Sequence, residues 1–360
     1  MNKNLCFITT SLAQGGLENA VTVMANEMSR KGNQVSIISF YNNPVFYDIN
    51  PNITLIFPSF KRNEYSTLGY YFRILLYVRS TIKKIQPAVI ISYGDYINFI
   101  SILASTSLKI PIYVSDRSSP SKKFPFYVKI LRKLLYYKST GIIAQTERAK
   151  SQKVRMLGEK TPRIEVIPNP IRPFYNNWKV KRKKIILGVG RHSYVKGLDR
   201  LINAYAQIEN TNWTLQIAGN YGPHTKELNR IINEKGLNDK VELLGPIKDI
   251  DKIYSQAQIF VLPSRSEGFP NALIEAMGFG LACISFDVVA GPSDIISNGN
   301  NGILVPDGDV IKLKENLILL MDNDEVRKQL SANAVKIKDK LSVSEIGDKF
   351  FYFITNNIHK

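Results

Sequence analysis

Ile185-Ile186-Leu187-Gly188-Val189-Gly190-Arg191-His192-Ser193-Tyr194-Val195-Lys196-Gly197 reads as a strand, a glycine-bearing turn and the start of a helix. The apolar run predicts a strand over 184–190, and the periodicity that follows predicts a helix over 196–208. This unit restarts a pattern that has just been interrupted. Ile167-Pro168-Asn169-Pro170 sets two prolines around an Asn, which forces extended, non-helical backbone. From Lys179 to Lys184 the chain is polar and basic, with Val180 its one apolar residue, as expected of an exposed linker.

The same alternation runs outward in both directions. Downstream, strands are predicted at 213–218, 240–244, 258–262, 281–285 and 302–305. Helices are predicted at 224–236, 249–257, 271–280 and 309–321, and two more, near 323–340 and 343–357, close the chain. Upstream, strands are predicted at 4–10, 34–40, 53–57, 88–92, 111–115 and 140–144, with helices at 16–31, 66–85, 96–107 and 122–138. Strands alternating with helices imply parallel sheets covered on both faces. The expected fold class is α/β, with two Rossmann-like domains. Ligands in such sheets bind beyond the carboxyl ends of the strands.

Composition narrows the partners. With 44% hydrophobic and 22% charged residues in 360, the chain is globular and long enough for two cores. The formal charge is +18 and unevenly held. Residues 1–183 carry 28 Lys and Arg against 9 Asp and Glu, a net of +19, whereas residues 184–360 carry 20 against 21, a net of −1. The first half is therefore expected to meet something anionic. Cys6 and Cys283 lie in apolar strand-like runs, which argues against a disulfide framework. Residues 1–10 lack the apolar region and cleavage site of a secretory signal. The longest charge-free apolar stretch, near Tyr96–Leu108, is shorter than the roughly 20 residues a spanning helix needs. A cytosolic protein, or one lying on a membrane surface, is expected.

Three places carry candidate chemistry. After the first strand, Gly15-Gly16 permits close approach of a ligand to a helix N-terminus, although a tight strand-to-helix turn would use the same pair. Arg191 and Lys196 leave a strand end just before a helix, where Arg can grip phosphate oxygens in pairs and Lys acts as a point charge; two solvated cations are the plainer alternative. Ser264-Arg265-Ser266-Glu267-Gly268-Phe269-Pro270-Asn271-Ala272-Leu273-Ile274-Glu275-Ala276-Met277 is the most informative stretch. It puts Glu267 in a loop and Glu275 in the next helix, able to hold hydroxyls at two ends of a long ligand. The N–H groups around Asn271–Leu273 lie between them for a diphosphate. The histidines His192, His224 and His359 show no metal or triad spacing and are read as surface residues, with His192 near the phosphate site.

Taken together, these motifs resemble glycosyltransferase family 4, the large retaining family with the GT-B architecture of two Rossmann-like domains facing across a cleft. The resemblance covers nearly the full length. It rests on Gly15-Gly16, on Gly190-Arg191-x4-Lys196-Gly197 and on Glu267-x7-Glu275. Gly291-Pro292-Ser293-Asp294-Ile295-Ile296 resembles an element of members that build bacterial surface polysaccharides such as O-antigen or capsule. The resemblance implies domains over 1–170 and 184–340, a linker over 171–183, and a C-terminal helix within 341–360 packing back on the first domain. It implies a nucleotide-sugar donor, UDP-linked, and no metal or other cofactor. Arg191 and Lys196 would neutralise the donor diphosphate, and Gly16, with Gly15 beside it, would give a backbone N–H to the same group. Glu275 would bind the ribose, and Glu267 with Gly268 and Phe269 the sugar, in the loop that continues through Pro270, Asn271, Ala272 and Leu273. The backbone near Pro246-Ile247 would line the base. Same-face attack would give retention.

The first domain departs from the family where many members carry a His after the fourth strand. Here Val114 is followed by Ser115-Asp116-Arg117-Ser118-Ser119-Pro120. Asp95, Asp116 and Arg117 are candidates for the acceptor or a phosphate; alternatively Asp116 and Arg117 simply pair with each other. The charge itself concentrates in two helices. Residues 121–138 hold Lys122, Lys123, Lys129, Arg132, Lys133 and Lys138 without an acid. On a helical wheel Lys129, Arg132 and Lys133 share one arc, opposite Phe124, Val128, Leu131 and Leu135. Residues 68–84 mix Arg73, Arg79, Lys83 and Lys84 with aromatic and aliphatic residues. Both read as interfacial helices on an anionic membrane, with a solvated basic face as the alternative. The expected acceptor is a polyprenyl-diphosphate-linked glycan at the cytoplasmic face. No helix-turn-helix, zinc-finger or RNP-like pattern supports nucleic acid. A soluble-acceptor transferase of the same fold, and a non-catalytic anion- or nucleic-acid-binding protein on a Rossmann scaffold, remain the alternatives.

Overall fold

A computed structural model describes residues 2–117, 119–120, 122–158, 161–174 and 180–356. Residues 175–179 of the expected linker, Ser118 of the loop after Val114, the last residue of the expected 343–357 helix and His359 lie outside the described residues. The chain folds as two compact units, residues 1–170 with 343–360 and residues 171–342.

The first unit runs β1 (Asn4–Thr9), α1 (Gly16–Arg30), β2 (Gln34–Ser39), β3 (Ile53–Ile56), α2 (Thr67–Ile85), β4 (Val89–Tyr93), α3 (Asp95–Ser105), β5 (Ile112–Ser115), α4 (Phe126–Tyr136), β6 (Gly141–Ala144), α5 (Glu147–Leu157) and β7 (Arg163–Val166). Its seven strands lie in the order β3-β2-β1-β4-β5-β6-β7, all parallel. The central strands are buried on both faces, which is why Leu5–Ile8 and Val89–Ile91 read as continuous apolar runs. The sheet and its helices share one core through residues such as Ile8, Ile74, Ile90, Ile102, Val128 and Ile142.

Two elements here were not predicted. α5 is ERAKSQKVRML, too polar to show a clear apolar stripe, and it seats itself through Ala149, Lys153 and Leu157. β7 is a four-residue edge strand bounded by the Ile167–Pro170 break. α4 starts at Phe126, not at 122, because Pro125 holds the residue before it away from helical backbone.

The second unit runs β8 (Ile185–Val189), α6 (Leu198–Tyr205), β9 (Thr214–Ala218), α7 (Thr225–Glu234), β10 (Val241–Gly245), α8 (Ile250–Gln256), β11 (Ile259–Leu262), α9 (Asn271–Gly278), β12 (Ala282–Asp287), α10 (Pro292–Ile295), β13 (Ile303–Pro306), α11 (Val310–Asp322), α12 (Asp324–Ala334) and α13 (Ile337–Lys340). The sheet order is β10-β9-β8-β11-β12-β13, again all parallel. Residues 171–174 belong to this unit: the Ile171 N–H donates to the Leu341 carbonyl at 2.8 Å, and Phe174 lies 4.2 Å, ring to ring, from Phe279.

The chain then returns to the first unit as α14 (Val343–Thr355). α14 packs on α1, where Gly347 leaves room for the Glu27 side chain and Lys31 pairs with Asp348 at 2.7 Å. Its inner face stacks Phe350 on Phe7 and sets Phe353 against Tyr113, with ring centroids 6.1 and 5.2 Å apart. Cys6 and Cys283 are buried and unbridged, and burial pushes the Cys6 thiol up to about 12. Among the described residues, no helix is long and apolar enough to cross a membrane.

Candidate active site

In both sheets the strand order reverses beside the first strand, so successive helices leave in opposite directions and open a crevice at the carboxyl edge. In the second unit that point lies between β8 and β11. The turn after β8 holds Gly190 to Gly197, and the loop after β11 holds Pro263 to Pro270. Lys196 reaches across: its Nζ is 2.7 Å from Glu267 Oε1, and the Ser264 hydroxyl donates to the same oxygen at 2.6 Å. Glu267 is only 7% exposed and Lys196 half-buried, so the pair is fixed while one flank of the lysine stays open.

Glycine makes this approach possible. Gly197 has φ +62°, and a Cβ there would overlap the Pro263 carbonyl oxygen. Gly219, φ +147°, stands in the same relation to the Gly190 carbonyl, which lets the turn after β9 close on the turn after β8. Arg265 then locks the β11 loop to α6. Its guanidinium grips Asp199 at 2.7 and 2.5 Å and lies 3.9 Å over the Tyr194 ring. Burial alone would raise the Asp199 carboxyl; the Arg265 hydrogen bonds outweigh it and hold the group below the usual carboxylate range.

Glu275 sits apart from Glu267. It projects from α9 toward α8 and accepts from Arg172 Nε at 3.0 Å, while the other arm of Arg172 holds Asp251. Burial raises the Glu275 carboxyl above its ordinary range, and Arg172 and the Tyr254 hydroxyl pull against that rise. The two carboxylates therefore have separate cations. Around the start of α9, the Asn271 N–H donates to the Phe269 carbonyl at 3.1 Å and the Leu273 N–H to the Pro270 carbonyl at 3.0 Å, so these two donors are used within the turn. Gly268, Asn271 and Ala272 are partly exposed, Phe269, Pro270 and Leu273 buried. Ile247 is half-buried in the turn after β10, and Arg191 is exposed on the turn after β8.

In the first unit the reversal falls between β1 and β4. Gly16 opens α1, and Gly15 is clasped by Tyr47, which donates to its carbonyl at 3.0 Å and accepts from its N–H at 3.3 Å. Gly94, φ +111°, lets the turn before Asp95 close on Leu17 of α1. Asp95 pairs with Lys122 at 2.8 Å, and burial, reinforced by the Asp116 charge, raises its carboxyl. Asp116 is 1% exposed; it accepts from Arg132 and lies 3.3 Å from Lys153. Arg117 instead donates to Ser115 at 2.8 Å and to Asn169, and lies 4.7 Å over the Tyr93 ring.

These placements correct three expectations. Asp116 and Arg117 do not pair with each other. Arg132 is not on the outer arc of α4 with Lys129 and Lys133, and Leu131 is not on the inner one. The carboxylate of Asp116 draws Arg132 inward, so the buried row is Val128, Arg132, Leu135 and Tyr136; Leu131 is 42% exposed, and Phe124 precedes the helix. His192 is fully buried, its Nδ1 3.2 Å from the Thr225 hydroxyl, and burial lowers its pKa. His224 is mostly buried too, 3.6 Å from Asp199.

Three residues escaped the sequence reading. Arg172 lies in a proline-flanked segment with no periodicity to place it. Arg265 lies two residues before Glu267 in sequence and points instead to α6. Lys153 lies in the polar α5, and only burial shows that it shares a face with Ala149 and Leu157, four residues to either side. Among the described residues, no group of three or more His, Cys, Asp or Glu side chains is placed to hold a metal ion.

The pattern of Glycosyltransferase Family 4 matches residues 14–173 and that of Glycosyl transferases group 1 matches residues 174–337. Together the two patterns span residues 14–337; the chain belongs to glycosyltransferase family 4, with the GT-B fold, and is a glycosyltransferase. It is 25% identical, over 97% of its length and 98% of the relative's, to the Campylobacter jejuni GalNAc-alpha-(1->4)-GalNAc-alpha-(1->3)-diNAcBac-PP-undecaprenol alpha-1,4-N-acetyl-D-galactosaminyltransferase. Among solved structures it resembles sucrose-phosphate synthase from Thermosynechococcus elongatus, with a TM-score of 0.83 at 18% identity over 98% of each chain. It also resembles Anabaena HepE in complex with UDP and glucose, with a TM-score of 0.80 at 16% identity over 99% of this chain and 100% of that one.

Proposed function

We propose that this glycosyltransferase moves a sugar from a nucleotide donor, UDP-linked, to a polyprenyl-diphosphate-linked glycan at the cytoplasmic face of an anionic membrane, with retention at the anomeric carbon. The observation that carries the reading is the Lys196–Glu267 pair across the β8/β11 crevice, 2.7 Å apart and backed by Ser264. Glu267 holds the ammonium in place, and the open flank of Lys196, with Arg191 beside it, meets the donor diphosphate. As the bond from the anomeric carbon to phosphate breaks, charge builds on the departing diphosphate, and fixed cations stabilise that state more than the ground state. The acceptor oxygen bonds to the anomeric carbon on the same face, and its proton passes to a donor phosphate oxygen. Glu267 orients sugar hydroxyls and Glu275 accepts from the ribose hydroxyls. The proposal needs no metal or other cofactor. The lipid-linked acceptor is supported by the diphosphate-undecaprenol substrate named for the Campylobacter relative, and the UDP donor by the HepE complex.

The test is a panel of nucleotide sugars scored for nucleotide diphosphate release, followed by the anomeric configuration of the product by NMR. Lys196→Ala and Glu275→Ala should each abolish transfer with the fold intact. Wild-type rates in either variant refute the site, and an inverted product refutes the mechanism.

A further inference from the structure

From Tyr65 to Lys138 the sequence holds twelve Lys and Arg and two acids, Asp95 and Asp116. Neither acid faces solvent: their side chains are 8% and 0% exposed, engaged by Lys122 and by Arg132 with Lys153. The outer surface of this stretch therefore shows cations alone. It is also apolar. α2 packs on α3 and α3 on α4, and each sends one face into the core. The opposite face is not the polar one that a solvated helix would show. Leu68, Phe72 and Leu76 repeat every four residues along α2 at 85%, 61% and 51% exposure, and Phe126, Ile130 and Leu134 do the same along α4 at 78%, 42% and 59%.

Leu76 and Leu134 continue these rows further along α2 and α4, and five exposed side chains cluster at one end. Leu68, Phe72, Tyr96, Phe126 and Tyr127 all lie in the first two turns of their helices. Those turns stand at the carboxyl edge of the sheet, the edge that carries Asp95 and Asp116. The Tyr70 hydroxyl donates to the carbonyl of Phe40, just past β2, and Asp95 begins α3 directly beyond β4. Arg132, halfway along α4, already meets Asp116 just past β5. Phe126, six residues earlier, lies about 9 Å further out at 1.5 Å per residue.

We infer that the first turns of α2, α3 and α4 form a docking surface that inserts apolar side chains into an anionic lipid bilayer, with Lys123, Lys129 and Lys133 over the headgroups. Charge complementarity selects the occupant: exposed aromatic and aliphatic rows flanked by lysines, without an exposed acid, fit a bilayer carrying negative headgroups. The inference rests on the membrane-facing reading of the first unit and gives it a location and a mode. Docking there sets the Asp95–Asp116 edge at the headgroup layer, where a lipid-linked diphosphate would sit.

Vesicle flotation without any sugar donor tests it, so its failure leaves the transfer reading standing. The full chain should bind phosphatidylcholine vesicles containing a quarter phosphatidylglycerol at 0.1 M NaCl, and part of that binding should survive 1 M NaCl, where surface electrostatics are screened. Phe72→Ser with Phe126→Ser should cut the salt-resistant partition at least about tenfold, since each removes a large apolar side chain from the bilayer. Unfolding temperature should not change, as both side chains are exposed. Lys129→Glu with Lys133→Glu should reduce low-salt binding. Wild-type binding that vanishes at 1 M NaCl, or a Phe72/Phe126 variant that binds like the wild type, overturns the inference. So does a self-associating chain whose dimer, not vesicle binding, is lost in that variant.

Discussion

Replacing Arg172 by Ala should be the most destabilising single change near the nucleotide-side carboxylates. Its guanidinium is the cation shared by Glu275, at 3.0 Å, and Asp251; the side chains are 17%, 14% and 6% exposed. Without it, Glu275 and Asp251, two mostly buried carboxylates on α9 and α8, lose the cation they share. Breaking a buried pair by removing one partner costs about 3–5 kcal/mol. For a unit of this size, at roughly 2–4 °C per kcal/mol, the expected fall in Tm is about 6–20 °C. The pH dependence identifies the cause. Burial already raises the Glu275 carboxyl in the folded state, and loss of Arg172 removes a cation opposing that rise. A group with a raised folded pKa contributes stability that is complete below its unfolded pKa, near 4.3, and is lost as pH rises through the folded pKa. The Arg172→Ala penalty should therefore be larger at pH 8 than at pH 5, and Arg172→Lys should recover part of it. The assay is thermal unfolding at both pH values, with UDP affinity by calorimetry alongside. A penalty below about 1 kcal/mol, the range of exposed pairs, or one that grows as pH falls, would show that Arg172 does not neutralise Glu275.

Other predictions follow from the same contacts. Gly197→Ala places a Cβ against the Pro263 carbonyl at φ +62°, so beyond about 1–2 kcal/mol of left-handed strain it should displace Lys196 and reduce turnover more than stability; rates and urea midpoints measured together separate the two. Asp116→Ala leaves Arg132 and Lys153 buried without their shared carboxylate and should cost about 3–5 kcal/mol, whereas Lys153→Met keeps the Asp116–Arg132 pair and should cost clearly less by urea unfolding. His192 is buried with a lowered pKa, so its contribution to stability is complete above its unfolded pKa, near 6.5, and is lost as pH falls through the folded one. His192→Asn should flatten the stability profile between pH 7 and 5; an unchanged slope would assign the acid sensitivity elsewhere.

The architecture was legible because it follows from short-range rules. Strands buried on both faces must be apolar throughout, and the helices between them must show a 3.6-residue stripe, so Ile185–Val189 and Leu198–Tyr205 announce themselves. Gly197 marks a turn because its left-handed backbone, pressed against the Pro263 carbonyl, admits little else. Elements without that contrast, such as the polar α5 and the edge strand β7, could not be seen in this way.

Within the site, motif spacing identified Lys196, Glu267 and Glu275 as candidates, yet left their partners open. A charge in a sequence has no direction; its partner depends on which long-range neighbour lies within a few ångströms and on how much water is removed. Asp116 turns to Arg132 and Lys153, not to adjacent Arg117, because the buried space beyond β5 holds those two cations. That choice rotates α4, takes Arg132 out of the basic arc and brings Leu131 to the surface. Local patterning thus determined the class of protein, its two parallel sheets and the turns that form its site. The fold in three dimensions assigned each charge its partner, because burial and distance between residues remote in sequence set those energies.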